Sequence, residues 1–238
     1  VNLLEQRSPE YRGLNLTLET QDCLKKHEKV FDPASGTQLR FPRLEGQLVD
    51  LADSTAYHYH DVDDGIREGI LDPVQMRTEL PLWEMAVAAA QKRHPEEAHG
   101  TLLWRRAANE LLGLAIADVR EESARRLLAT EARSAVAAQS CEQRLLGHSE
   151  SFGSMVAGLH AYLYANMYLK EEVNWHVRRA TELLGKVFDA LLQRPERVPE
   201  QFLENAESPH RAVCDFVQGM TDRYVDAIAK ELGVLPAY

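Results

Sequence analysis

No proline interrupts the chain between Pro95 and Pro195, whereas six punctuate the stretch before, at positions 9, 33, 42, 73, 81 and 95. Proline removes a backbone donor and clashes with the preceding turn, so its absence lets long helices run. There is no alternation of strand and helix that would build a parallel sheet, and no repeat period that would build a solenoid. The fold class implied is all-α. A short helix is expected over 17–28, then a loop with at most a small β-hairpin near 29–41, turning about Ser35-Gly36. A long helix should span 43–68, and further helices should lie near 82–94, 97–128, 131–146, 150–168 and 171–192. Asp72-Pro73 and Ser208-Pro209 each pair a capping side chain with proline at the first helical position. The second pair opens the last helix, which Gly233 should end, and Val213, Phe216, Val217, Met220, Tyr224, Ala227 and Ile228 recur along it at helical spacing as a core stripe.

The 238 residues carry a net charge of −10, with 45% apolar and 27% charged side chains. No stretch approaches the ~20 apolar residues that a membrane span needs, so a soluble chain with no membrane partner is expected. The acidic balance does not indicate nucleic acid as a partner, because neutralising phosphates takes clustered Lys and Arg. The one local basic cluster, Arg120, Arg125 and Arg126, reads as a solvated helix face. Three widely spaced cysteines, Cys23, Cys141 and Cys214, suggest neither a disulfide framework nor a zinc pair, and a reducing, cytoplasmic setting fits them. The opening residues lack the marks of a secretory signal.

The informative segment is RLEGQLVDLADSTAYHYHDVDDGIREGIL, residues 43–71. On a helix advancing about 100° per residue, positions 48, 51, 52, 55, 59, 62 and 66 share one direction and form an expected buried stripe. Asp50, Asp53, Tyr57, Asp61 and Asp64 fall on the opposite side. Asp53, Tyr57 and Asp61 stand at i, i+4 and i+8, which lines two carboxylates and a phenol along one face. Like charges stacked this way either face open water or gather around a cation or hydrogen-bonding ligand, and the spacing leaves both readings open.

VDLADSTAYHYHDVDDGI, residues 49–66, resembles a signature in the C-terminal half of the deoxynucleoside triphosphate triphosphohydrolases, the deoxyguanosine triphosphate triphosphohydrolase-like branch of the HD superfamily. GLNLTLETQDCLKKHE, residues 13–28, resembles that family's segment before this helix, and RAVCDFVQGMTDRY, residues 211–224, resembles its C-terminal helix, the three matches lying in family order. The resemblance implies the C-terminal portion of an HD-type helical bundle. It places part of the catalytic domain at 1–128 and a C-terminal helical region at 129–238. Asp53 then matches the last carboxylate of a metal site, and Tyr57 and Asp61 match residues that hold the deoxyribose, the carboxylate meeting the 3′-hydroxyl. The implied partners are deoxynucleoside triphosphates and further copies of the chain in a homo-oligomer. The implied cofactor is a divalent metal (Mg, Mn or Fe), and the implied reaction is attack of water on the α-phosphorus to release deoxynucleoside and triphosphate.

The family's metal histidine and its His-Asp pair have no match here, so the N-terminal metal-binding half, with the catalytic groups, is expected to be missing and the chain inactive by itself. His60-Asp61 does spell a His-Asp pair, to be weighed against a solvent-facing histidine. In NMYLKEEV, residues 166–173, Leu169 and Lys170 stand where the family usually carries basic or histidine residues. Lys170 is a candidate phosphate contact, its plain reading being an exposed helix-surface lysine. His148, His160 and His176 are expected on helices in packing or surface roles. No phosphate-cradling glycine loop, HExxH, CxxC or nucleophile elbow occurs. Two classes therefore compete: a metal-dependent hydrolase, and a non-catalytic helical nucleotide-binding or regulatory module without a complete metal site.

Overall fold

The computed structural model describes residues 14–24, 30–31, 35–36, 38–97, 100–204 and 206–235. Eleven α-helices run through them: α1 (Leu18–Leu24), α2 (Leu44–Arg67), α3 (Pro73–Glu79), α4 (Pro81–Arg93), α5 (Thr101–Ala129), α6 (Ala135–Gln139), α7 (Glu150–Leu163), α8 (Glu171–Gln193), α9 (Glu200–Glu204), α10 (Pro209–Gln218) and α11 (Asp222–Leu232). The fold is all-α, with a two-residue antiparallel pairing as its only extended structure among the described residues. Val30 faces Leu39 and Phe31 faces Gln38, on either side of the expected Ser35-Gly36 turn. Gly36 has φ +69, a left-handed conformation that favours glycine. The expected first helix is seen over Leu18–Leu24, and positions 25–28 lie outside the described residues.

Residues 17–170 form one compact unit, and residues from 171 onward, with 14–16, form another. In the first, α4 packs along α5 through Trp83, Ala86, Val87 and Ala90 on one side and Leu103, Ala107 and Leu111 on the other, all buried. The alanines let the helices approach closely, and each fully buried large side chain contributes about 1.5–3 kcal/mol. Trp83 is wholly buried, and its indole N–H donates to the Pro73 carbonyl at 3.0 Å. Asp72 caps α3 through the Val74 amide at 2.8 Å, as the Asp-Pro pair implies. In the second unit, Val187, Leu191, Val213, Phe216, Val225, Ile228 and Leu232 make the core.

Three expectations need correction. First, the helix expected over 131–146 is only α6; the segment from Ser140 to Gly147 is irregular. Its backbone finds tertiary partners instead: Arg126 donates to the carbonyls of Arg144 (3.1 Å) and His148 (2.6 Å). Gln47 accepts from the Leu146 amide at 3.3 Å and Ser123 from the Gly147 amide at 3.2 Å. A methyl group on Gly147 would stand 2.7 Å from the Arg126 guanidinium. Arg126 is therefore a clamp with a side chain only 16% exposed, rather than part of a solvated basic face. Second, the last helix is two helices. Thr221 opens α11 by accepting from the Tyr224 amide, and the intervening turn shifts the buried register. Tyr224 is left 44% exposed while Val225, Ala229 and Leu232 turn inward. Third, the apolar stripe of α2 is only partly buried. Val62 is fully buried and Tyr59 and Ile66 are half-buried, but Leu48 is 52% exposed and Ala52 is also exposed.

Candidate functional site

The site builds outward from α2. Asp50, Asp53, Tyr57 and Asp61 occupy successive turns of one face, and the helix that carries them runs without a break from Leu44 to Arg67. Asp50 and Asp61 are held by side chains from distant parts of the chain. Arg144, from the irregular segment that Arg126 holds, donates to Asp50 Oδ2 at 2.8 Å. The Tyr168 hydroxyl donates to Asp61 Oδ2. Asp53 is exposed, and Tyr57 is 51% exposed with its ring 6.0 Å from that of Tyr168.

Tyr168 reaches Asp61 because the chain after α7 widens into one π-helical turn, Tyr164–Tyr168, closed by the Leu169 amide on the Tyr164 carbonyl at 3.1 Å. Such turns are rare and rotate the following side chains relative to an α-helix. Burial pushes the Tyr168 phenol well above its ordinary range, and its contacts with Asp61 and Tyr57 push the same way. It stays a neutral donor at any physiological pH. The meeting of Tyr168 with Asp61, 107 residues earlier, depends on the π turn, which no periodicity signals.

Lys170 lies between that turn and α8, half-buried, and its ammonium donates to the Ile70 carbonyl at 2.6 Å. It is thus not an exposed helix-surface lysine. It ties the corner after α2 to the end of the π turn. His60 is exposed and its ring meets that of Tyr59 edge-on at 5.0 Å. Among the described residues no group of three or more His, Cys, Asp or Glu side chains could hold a metal ion. The described residues therefore do not by themselves fit a metal centre at Asp53 or at His60-Asp61.

Behind this face lies a cavity of about 60 Å³ lined by Ser54, Thr55, His58, Tyr59 and His148 among apolar side chains. A space of that size holds a few waters. His58 Nε2 sits 3.2 Å from His160 Nδ1, one ring donating to the other. Burial, followed by the neighbouring His160, holds His58 below the ordinary histidine range, so it is neutral near pH 7. His148 is not on a helix as expected. It precedes α7 and pairs through Nδ1 with Asp118 Oδ2 at 2.8 Å. Asp118 also accepts from the Ser149 hydroxyl at 2.6 Å and its amide at 3.1 Å. Arg125 and Arg126 on α5 hold the Glu122 carboxyl down to about 2, so the carboxylate that pairs with the Arg126 clamp stays ionised across the working pH range.

This arrangement can be set beside known proteins. A family model described as a phosphohydrolase-associated domain matches residues 146–231. A deoxyguanosinetriphosphate triphosphohydrolase-like protein 1 from Deinococcus radiodurans is 37% identical over 228 residues, covering 94% of this chain and 59% of that protein. The like-named protein of Deinococcus deserti is 35% identical over 94% of this chain and 57% of its own length. That of a Caulobacter species is 29% identical over 94% and 62%. Over 94% of its length the chain is similar to the deoxyguanosinetriphosphate triphosphohydrolase-like proteins. It spans about 60% of the length of these relatives, and the aligned part includes the whole α2 face and the π turn that meets it. No described helix is long and apolar enough to cross a membrane.

Proposed function

We propose that this chain is the C-terminal portion of a metal-dependent deoxynucleoside triphosphate triphosphohydrolase, which cleaves its substrate with water to deoxynucleoside and triphosphate. The observation that carries the reading is the row Asp53, Tyr57 and Asp61 on α2, with Tyr168 brought to Asp61, in a chain whose relatives bear the name of that activity. In this reading Asp53 is the last metal carboxylate, completed by ligands that this chain does not supply, and the ion is Mg, Mn or Fe. Tyr57 offers its half-exposed ring to the sugar, and Asp61 accepts from the 3′-hydroxyl. Tyr168 fixes the Asp61 carboxylate for that contact. Lys170 has one ammonium hydrogen committed to Ile70 and two left for a phosphate oxygen. The division of the chain at 128/129 belongs to this proposal, as do a homo-oligomeric assembly and a cytoplasmic setting for its three free cysteines.

The competing reading is a non-catalytic helical module that binds nucleotides on the α2 face without a complete metal site. The test is to incubate this chain, and the protein extended to the length of its relatives, with each deoxynucleoside triphosphate and Mg²⁺ or Mn²⁺, and to look for triphosphate by anion chromatography. The expected outcome is triphosphate from the long form alone, abolished by Asp53→Ala. Nucleotide binding by both forms without triphosphate under any metal would replace the hydrolase with the binding module.

A further inference from the structure

The exposed half of the α2 stripe faces a groove of about 520 Å³ between α2 and α5. Leu48, Leu51 and Ala52 line it on one side and Ile116, Val119 and Leu127 on the other. Leu48 is 52% and Ile116 57% exposed, far above what a finished helix interface leaves. The α5 wall runs from Leu112 to Leu127, about 22 Å at roughly 1.5 Å per residue. Only Thr55, Arg120 and Ser123 bring polar side chains to the lining, and Ser123 is already engaged by the Gly147 amide. Small-molecule sites converge several polar groups on one ligand. A long, nearly dry trough between two helices instead has the dimensions and chemistry of a seat for a third helix.

We infer that the groove is the docking surface for an amphipathic α-helix of the full-length protein, drawn from the two fifths of the relatives' length that this chain does not span. Leu, Ile, Val or Phe at i, i+3, i+4 and i+7 of that helix would fill the trough, and a carboxylate at its edge would meet the exposed Arg120. A second copy of this chain is a poorer occupant. A two-fold interface must be self-complementary, and two concave troughs are not. The groove also adjoins the interior, because Thr55, Leu112 and Ala115 line both it and the cavity beside His58 and His148. Its occupant completes the core behind the α2 face. The inference concerns packing, and a helix can dock there whatever the protein hydrolyses.

The test compares thermal unfolding of Ile116→Glu and Leu48→Glu in this chain and in the full-length protein, with binding of a hydrophobic fluorescent dye as a second readout. In this chain both side chains are exposed, so midpoints should move by about 1 °C or less while dye binding falls. In the full-length protein the unsubstituted form should bind little dye, and either substitution should lower the midpoint by roughly 5 °C or more. Unmoved midpoints in the full-length protein, with dye still bound, would overturn the inference. So would a concentration-dependent dimer of the full-length protein that Ile116→Glu dissolves without lowering the midpoint of the monomer. Both readouts are blind to catalysis, so their failure is separable from failure of the hydrolase reading.

Discussion

The two halves of α2 carry the same amphipathic pattern and meet different fates. In the C-terminal half Val62 is fully buried and Gly65 is pressed so closely that an added methyl group would stand 2.6 Å from Leu71 Cδ1 and 3.2 Å from Met167 Sδ. In the N-terminal half Leu48 and Val49 are 52% and 64% exposed. Periodicity reports which side of a helix is apolar, but burial depends on whether a second surface is there to receive it. The site residues span the boundary: Asp53 stands on the open half, Asp61 on the closed one, where Tyr168 and Lys170 arrive from the π turn.

The contrast can be broken most forcefully at the closed end. Leu71 is 3% exposed, and Leu71→Ala should cost about 2–5 kcal/mol in urea unfolding. Gly65→Ala alone should cost about 1–3 kcal/mol through overpacking against the same side chain. In the double variant the alanine methyl gains room, so the two losses should sum to less than their separate values, a coupling that a double-mutant cycle reads directly. Strict additivity would mean that the close approach at Gly65 is relieved by other movements and that the closed half is looser than its geometry indicates.

The contrast itself was not legible in the sequence, which implied one buried stripe along all of α2, but much of the fold was, and the rest fails for identifiable physical reasons. The bounds of α2, expected at 43–68 and found at Leu44–Arg67, and the Asp-Pro and Ser-Pro starts follow from local chemistry that needs no tertiary partner. The segment after α6 loses its helix because Arg126, Gln47 and Ser123 satisfy its backbone from a distance, which helical propensity does not encode. The break between α10 and α11 does have a local signal, Gly219 followed two residues later by Thr221, a capping residue. The roles proposed for the site residues rest on the resemblance, whereas the shared face of Asp53, Tyr57 and Asp61 is readable from spacing. The arrival of Tyr168 beside that face is not, since an unbroken α-helix over 150–168 would present it at a different angle from the one the π turn gives.

A smaller change sharpens the boundary itself. Tyr168→Phe keeps the ring and its packing and deletes the donor to Asp61, leaving a half-buried carboxylate without that partner. Stability should fall by about 1 kcal/mol. If Asp61 is the sugar contact proposed above, affinity for a deoxynucleotide should fall with it. A variant that loses the stability and keeps full nucleotide affinity would confine Tyr168 to the fold and would weaken the assignment of Asp61.

The smallest effect is a pH dependence centred on His58, which lies between the two halves. Its folded form resists protonation because burial, then His160, disfavours the imidazolium, while Asp61 acts the other way and is outweighed. The unfolded chain takes up that proton near the ordinary value of about 6.5. The unfolded state therefore binds more protons below that pH, so His58 contributes stability that is present above about pH 6.5 and lost as the pH falls through the depressed folded value. Urea midpoints should decline on going from roughly pH 7.5 to 5.5, and His58→Gln should flatten that decline over the same window. A docked helix over the α2–α5 groove would deepen the burial of the adjoining cavity, so the decline should be steeper in the full-length protein than in this chain. An equal slope in the two forms would mean that the environment of His58 is already complete here, and that the open half of α2 ends before it.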